Sequence, residues 1–366
     1  MGSDRKSSDV GSRAEVVVPC IELDLTLSFF TTELGFRVEM ITPADNPHTA
    51  IISGYGVRLC LRVGGSGKDI TLQLSAVDRE PEILYAPNGT AIEITNPRAG
   101  VVLPELRESL VVTQLLSDAS WTVGRAGMRY RDLIPSRLGG RVIASHIHIP
   151  VGGPVPDYVH YHRVAFQMIF CKSGWVRVVY EDQGESFVMQ AGDCVLQPPE
   201  IRHRVLESSD DLEVIEIGLP AEHETFADHE ITLPTLTLRP DRDFSGQRFV
   251  CHVAEQTPWL PWRHSGFESR NTGIDVATSG LASAVTVQAK QGAVMNQSRH
   301  EHDLMFLFIL SGSAKFEVDA QVNAQVDGHK DPVIVSTGSS LTLPHDCNYR
   351  LEITTDNTEF LVVEVA

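Results

Sequence analysis

The sequence predicts a mainly β protein, with two tandem β-barrels or sandwiches preceded by a small α+β domain. Three observations predict it. Two blocks of the chain repeat each other, short runs rich in Val, Ile and Phe recur at about 8–12-residue spacing between turn residues, and the clearest helical periodicity lies near the N-terminus, followed by a minor run in the connector.

The expected organisation is a disordered tail over 1–13, an α+β domain over 14–98, a connector over 99–120, a first barrel over 121–225 and a second over 226–366. A chain of 366 residues is long enough for several cores. The formal charge of -18, with no run of basic residues, argues against nucleic acid or an anionic membrane as principal partner. Cys20, Cys60, Cys171, Cys194, Cys251 and Cys347 are scattered without a C-x-x-C pair, which fits reduced thiols in a cytoplasmic protein. The polar start of the chain lacks the apolar core of a signal peptide.

From Ala14 the pattern reads as strand (15–21), helix (23–34), and strands at 36–41, 49–52 and 57–63. Leu27, Phe30 and Leu34 fall at helical spacing, and Gly35 is a stop. This order, with Ser28-Phe-Phe-Thr-Thr-Glu-Leu-Gly-Phe36 and the later Ala86-Pro-Asn-Gly-Thr-Ala-Ile-Glu93-Ile94, resembles one module of the glyoxalase, or vicinal oxygen chelate, superfamily. The resemblance implies a metal ligand at Glu93, yet the first strand carries no His or Gln to accompany it. Glu93 therefore reads as an exposed strand carboxylate and His48 as a loop residue. The domain is expected to be structural, a lid, or half of a dimer interface. In the connector, Pro104 to Leu110 reads as a short helix.

The repeat follows. Gly124 to Asp132 and Trp262 to Asn271 open two similar blocks. Each runs through an Ala-Ser strand to an H-x-H, His160/His162 or His300/His302, and each following apolar strand ends in Ser-Gly, at Gly174 or Gly312. The offsets are 300 − 160 = 140 and 312 − 174 = 138 residues, which means a duplicated domain. If the first H-x-H lies on a strand, both imidazoles leave the same face. Downstream comes Gly192-Asp-Cys-Val-Leu-Gln-Pro198-Pro-Glu-Ile-Arg-His203. A glycine before H-x-H, an acid or amide five residues on, a glycine seven later, then G-x5-P-x-G-x2-H, resembles the two-part signature of the cupin superfamily. The resemblance covers about residues 121–366 and implies a bicupin of two tandem jelly-roll barrels. The one departure in this second motif is Glu200, where the family has its inner glycine.

That resemblance places metal ligands at His160, His162 and His203, with Gln167 where many cupins carry glutamate. It implies one divalent transition metal, and imidazole donors suit Fe, Zn, Ni, Mn or Cu without choosing among them. Gln167 is also the one candidate catalytic residue, as a ligand or as an amide orienting a water or substrate oxygen. Three imidazoles and an amide leave an M²⁺ site at +2, which favours a small anionic, oxygen-chelating substrate such as an enolate, catecholate, β-diketonate or α-hydroxy acid. Arg163 and Arg202 should point to the opposite, outer face. Arg129 and Arg131 are candidates for a substrate carboxylate or for structural ion pairs. Met168, Cys171 and Cys194 should pack in the core, and His146 and His148 should be wall residues.

In the second block Met305 stands where the acid would be and Tyr349 takes the slot of the third histidine. It reads as a degenerate barrel, with a weaker site of His300, His302 and Tyr349 or His345 as the alternative. The functional expectation is a metal-dependent dioxygenase acting on a small anionic or enolisable metabolite. A non-redox isomerase, cyclase or lyase is the first alternative, and a binding or sensor protein without turnover the second. The resemblance also implies a homodimer.

Overall fold

The structure, a computed structural model, describes residues 13–366 apart from 116–120, 125–126, 298–299, 319–331 and 346. The expected disordered tail, except Arg13, lies outside the described residues. The chain forms two compact units, Met1–Gly100 and Val101–Ala366. No helix among the described residues is long and apolar enough to cross a membrane.

In the first unit, strand Val16–Cys20, helix Leu23–Thr32 and strands Arg37–Thr42, Thr49–Gly54 and Val57–Val63 follow the order that periodicity predicts. Val57–Val63 pairs in parallel with the first strand and antiparallel with Thr49–Gly54. The helix lays Leu23 and Phe30 into a core with Val18, Ile52, Leu59 and Ile92, and Gly35 turns the chain out at φ 73°. A second sheet places Ala91–Thr95 between Thr71–Ser75 and Glu82–Tyr85. Ile92 and Ile94 of its middle strand are buried, while Glu93 faces the other way and is half-buried. The His48 ring reaches only its neighbour Thr49, at 3.2 Å.

The second unit contains two barrels, each of two facing sheets. The first has a seven-stranded sheet built on Phe166–Ser173 and Leu212–Leu219, flanked by Cys194–Leu196 and Ile143–Ile149. Its facing sheet contains Trp175–Tyr180, His203–Ser208, His160–His162 and Thr225–Ala227. The second barrel repeats this plan with Leu304–Ser311 and Thr358–Val365 at the centre, flanked by Ser340–Leu343 and Ala282–Ala289. Even a backbone irregularity is repeated, since the central pairings slip between Cys171 and Ser173 and again between Ile309 and Ser311. Each slip leads into a left-handed glycine, Gly174 at φ 76° and Gly312 at φ 80°.

Strand alternation separates two cores. Phe166, Met168 and Phe170 point outward from the first barrel and join Phe306, Phe308, Leu361 and Val363 of the second in one buried cluster, so the barrels share a core. Ile169 and Cys171 point the other way, into the first barrel, with Tyr180, Val195 and Val214. Cys194 and Met168 lie in the shared core as expected, and burial pushes the Cys171 thiol up to about 12.

The connector departs from the sequence reading in two ways. No helix forms between Pro104 and Leu110. So short a helix does not repay its nucleation cost alone, and here the backbone finds other partners: Arg107 donates its N–H to Leu138 (3.0 Å), and the Arg141 side chain holds the Pro104 carbonyl (3.2 Å). Val111–Thr113 then adds an edge strand to the second barrel beside Ser340–Leu343, although it precedes the first barrel in sequence. Conversely, Val250–His252, which follows the first barrel, adds to that barrel's sheet.

Candidate metal centre

His160–His162 is a three-residue strand between His203–Ser208 and Thr225–Ala227, and His160 stands directly opposite His203. The period of two sends His160 and His162 into the barrel and Tyr161 outward, where its ring stacks on Phe226 and carries the Arg202 guanidinium 4.0 Å above it. Val205, two residues beyond His203, lines the same interior. One ligand atom from each of His160, His162 and His203 falls within 4.8 Å of the others, the one such group of three among the described residues. Ring centroids lie 4.3 Å apart for His160 and His203 and 5.2 Å apart for each of the other pairs.

Each ring is oriented through Nδ1. His160 donates to the Tyr158 carbonyl at 2.8 Å, with the Asp157 carboxylate 3.5 Å away. His203 donates to the Ile201 carbonyl at 3.0 Å, and Nδ1 of His162 lies 2.9 Å from the Thr225 hydroxyl. A carbonyl can only accept, so Nδ1 of His160 and His203 carries the proton and the lone pair sits on Nε2. This is the outer-shell pattern of metal-binding imidazoles, and the donor set fits a divalent transition metal. Asp157, whose other oxygen accepts from the Val205 N–H at 3.0 Å, escaped the sequence reading. Its place three residues before His160 was the available signal.

Gln167 points into the same barrel by alternation and is 1% exposed. Its Nε2 donates to Glu216 at 2.6 Å, and its Oε1 is buried without a hydrogen-bond partner among the described residues. A carboxylate from the neighbouring strand, Glu216, thus enters the same interior and offsets the charge that three imidazoles and Gln167 alone would leave on a divalent metal. Beside Gln167, Gln197 donates to the Tyr180 hydroxyl at 2.8 Å, and the Tyr180 ring stacks on His203 at 5.4 Å. Burial holds the Tyr180 phenol above its ordinary pKa, so it is a neutral group here. On the other side His223 reaches His162, with ring centroids 5.4 Å apart, and its Nδ1 donates to Pro220 at 3.0 Å. Glu216, Tyr180 and His223 lie outside the short motifs, Gln197 is an unspecified position within one, and none of the four was anticipated.

Other candidates lie elsewhere. Arg163 pairs with Glu224 (3.1 Å) and Arg202 with Asp228 (3.1 Å) on the outer face, as alternation predicts. Arg131 and His146 sit between the barrels: Arg131 donates to the Gly338 carbonyl of the second barrel at 2.6 Å and lies 3.0 Å from Nδ1 of His146. His146 also meets Glu213, and its ring contacts Phe308 at 5.5 Å. Arg131 is thus structural, whereas Arg129 is exposed. His148 pairs with Asp211 at 3.1 Å and does not reach the three imidazoles.

In the second barrel both ring nitrogens of His300 are engaged. Nε2 lies 3.0 Å from the Leu343 carbonyl, and Nδ1 accepts the His302 N–H at 3.3 Å. His302 approaches Glu364 at 3.9 Å, and His345 pairs with Glu108. Tyr349 is buried against the Met305 sulfur. Among the described residues these four side chains do not converge as the first barrel's imidazoles do: Nδ1 of His300 faces a backbone donor, and the Tyr349 hydroxyl lies 4.0 Å from the Met305 thioether.

Comparison with known proteins fits this geometry. Residues 145–218 match the model of the cupin domain. No curated protein matches the chain. Among solved structures, the chain resembles a salicylate 1,2-dioxygenase from Pseudaminobacter salicylatoxidans with a TM-score of 0.51 at 14% identity, covering 72% of this chain and 86% of that one. It resembles a mutant of the Bacillus subtilis oxalate decarboxylase with a TM-score of 0.50 at 15% identity, covering 73% and 78%. What the chain shares with these cupins is their fold.

Proposed function

We propose that the protein is a metal-dependent cupin enzyme, a dioxygenase acting on a small anionic or enolisable metabolite at His160, His162 and His203. The observation that carries this reading is the convergence of three imidazoles within 4.8 Å, with two of their tautomers fixed by backbone carbonyls. A bound divalent metal would supply Lewis acidity and, if redox-capable, a place for O₂ beside the substrate. The chain supplies the rest. Tyr158, Ile201 and Thr225 hold the three rings in place, and Asp157 adds negative charge behind His160. The barrel walls bury His160 and His203 and leave His162 half-buried.

The same donor set suits Zn²⁺, Ni²⁺ or Mn²⁺, which would support isomerase, cyclase or lyase chemistry without O₂. Glu216 favours retaining this second reading, since an inner-wall carboxylate can carry a proton between substrate positions.

Metal analysis and oxygen uptake test both. His160→Ala and His203→Ala should each abolish metal binding. Fe²⁺-loaded wild type should consume O₂ with a member of a panel of diketones, catechols and hydroxy acids. Metal retained in both variants would remove the site, and no uptake across the panel with any redox metal would remove the dioxygenase.

A further inference from the structure

The interior of the second barrel shows what is special about the first. Register aligns the two copies residue by residue. Met168 faces Leu196 as Phe306 faces Thr342, and Ile169 faces Glu216 as Leu307 faces Val362. Gln167, Gln197 and Glu216 therefore correspond to Met305, Leu343 and Val362, all three buried in the apolar core of the second barrel. One inner wall of the first barrel has become a polar row while its shared outer face stayed apolar.

That row stands opposite the three imidazoles. Gln167 is paired with Gly218, where a Cβ would come within 3.5 Å of the His223 ring, and that ring contacts His162. At the other end, Gln197 donates its N–H to the Gln167 carbonyl at 2.9 Å, and its side chain holds Tyr180 against His203. Both ends of the row thus connect to the histidine group. Glu216 lies mid-strand between the fully buried Ile215 and Ile217, yet it is itself only half-buried, so its accessible surface belongs to the barrel interior. Beside it, the buried Oε1 of Gln167 has no donor. A carboxylate and an orphaned carbonyl side by side form a wall of acceptors, which a ligand must meet with a donor.

We propose that Glu216, held by Gln167, is a specificity-determining residue of the site. It selects ligands that carry a hydroxyl or other hydrogen-bond donor beside their metal-binding oxygen, and it rejects dianions that bring a second carboxylate. The physical basis is the asymmetry between a hydroxyl, which satisfies the wall, and a carboxylate, which adds like charge to it. The inference rests on the three-imidazole reading and narrows the substrate class to hydroxy acids and singly ionised catechols.

The test uses Zn²⁺-loaded full-length protein and the matched pair 3-hydroxypropanoate and malonate, titrated calorimetrically. Wild type should prefer 3-hydroxypropanoate, and Glu216→Gln should shift the ratio at least tenfold toward malonate with Zn²⁺ content unchanged. Gln167→Met, which installs the side chain found at the equivalent position of the second barrel, should shift it in the same direction by at least threefold and covers the case in which Glu216→Gln fails to fold. An unchanged ratio in the variants would overturn the proposal. Loss of Zn²⁺ from Glu216→Gln would overturn it too, by making Glu216 a ligand. Failure of wild type to take up Zn²⁺ defeats the three-imidazole reading instead, so the two failures are distinguishable.

Discussion

Glu200→Gly should stabilise the protein without altering its metal affinity. Glu200 stands where the cupin motif has its inner glycine, and its backbone adopts φ 60°, the left-handed region. A side chain there costs roughly 1–2 kcal/mol. The turn holds Glu200 in place regardless: its N–H donates to the His162 carbonyl at 3.1 Å, and its own carbonyl accepts from Arg202 at 2.9 Å. The side chain returns little, since Glu200 is exposed and its one ion-pair partner among the described residues, Arg163, lies 3.9 Å away. Glycine relieves the strain but costs about 0.5–1 kcal/mol in chain entropy, so the net gain should be about 0.5–1 kcal/mol. For a unit of this size that is a rise in Tm of about 1–4 °C. Thermal unfolding of the two apo proteins measures it, and Zn²⁺ titration checks that the His162 and His203 backbones have not moved. A fall in Tm would refute the strain argument and assign the Glu200 side chain a stabilising role.

The remaining predictions concern the second barrel and the seam between the barrels. Tyr349→His restores the third histidine of the motif but should add no second equivalent of metal, because both nitrogens of His300 are engaged with the backbone; a stoichiometry of two by elemental analysis would show that the ring turns freely. At the seam, burial alone would raise the Glu213 carboxyl, but hydrogen bonds from His146 and Lys172 and the Lys172 charge bring it down to about 2. Because the folded pKa is depressed, its stabilisation is present above about pH 4.5 and is lost as pH falls toward 2. Glu213→Gln should therefore lower stability by roughly 2–3 kcal/mol at neutral pH and by little at pH 2.5, measured by denaturant unfolding at the two pH values. An equal loss at both would mean that packing, not charge, is at work.

The sequence was informative wherever the determinants were local. The period of two around His160 and His162 and the turn before His203 are short-range patterns, and the 138-residue offset between Gly174 and Gly312 shows two such local patterns recurring; together they located the barrels and the histidines. Glu216 was illegible for the opposite reason. It lies 49 residues from Gln167 in sequence and becomes its partner only through strand pairing. The same holds for Tyr180 and Gln197, which are 17 residues apart and meet through the fold. Arg131 left a substrate carboxylate and a structural ion pair both open, and His146 read as a wall residue; what decides for a structural Arg131 is its bond to the Gly338 carbonyl, 207 residues away in sequence. The connector failed because Val111–Thr113 is too short to show a period and pairs with Ser340–Leu343, more than two hundred residues away.

The two barrels differ in the inner face of their central strands and agree in the outer one. The outer face of each central strand lies in the shared core, where Phe166, Met168 and Phe170 meet Phe306 and Phe308. A polar residue there would be buried without a partner in both barrels at once, so that face is constrained by packing. The inner faces have no such link. In the second barrel Met305, Leu343 and Val362 are buried in one apolar cluster with Tyr349, which stabilises the fold. In the first, Gln167, Gln197 and Glu216 take those positions. That substitution forgoes apolar burial and leaves the Gln167 Oε1 unsatisfied. An orphaned acceptor in an otherwise polar row is a position that a ligand donor can satisfy, and on that ground we propose the first barrel, not the second, as the place of the chemistry.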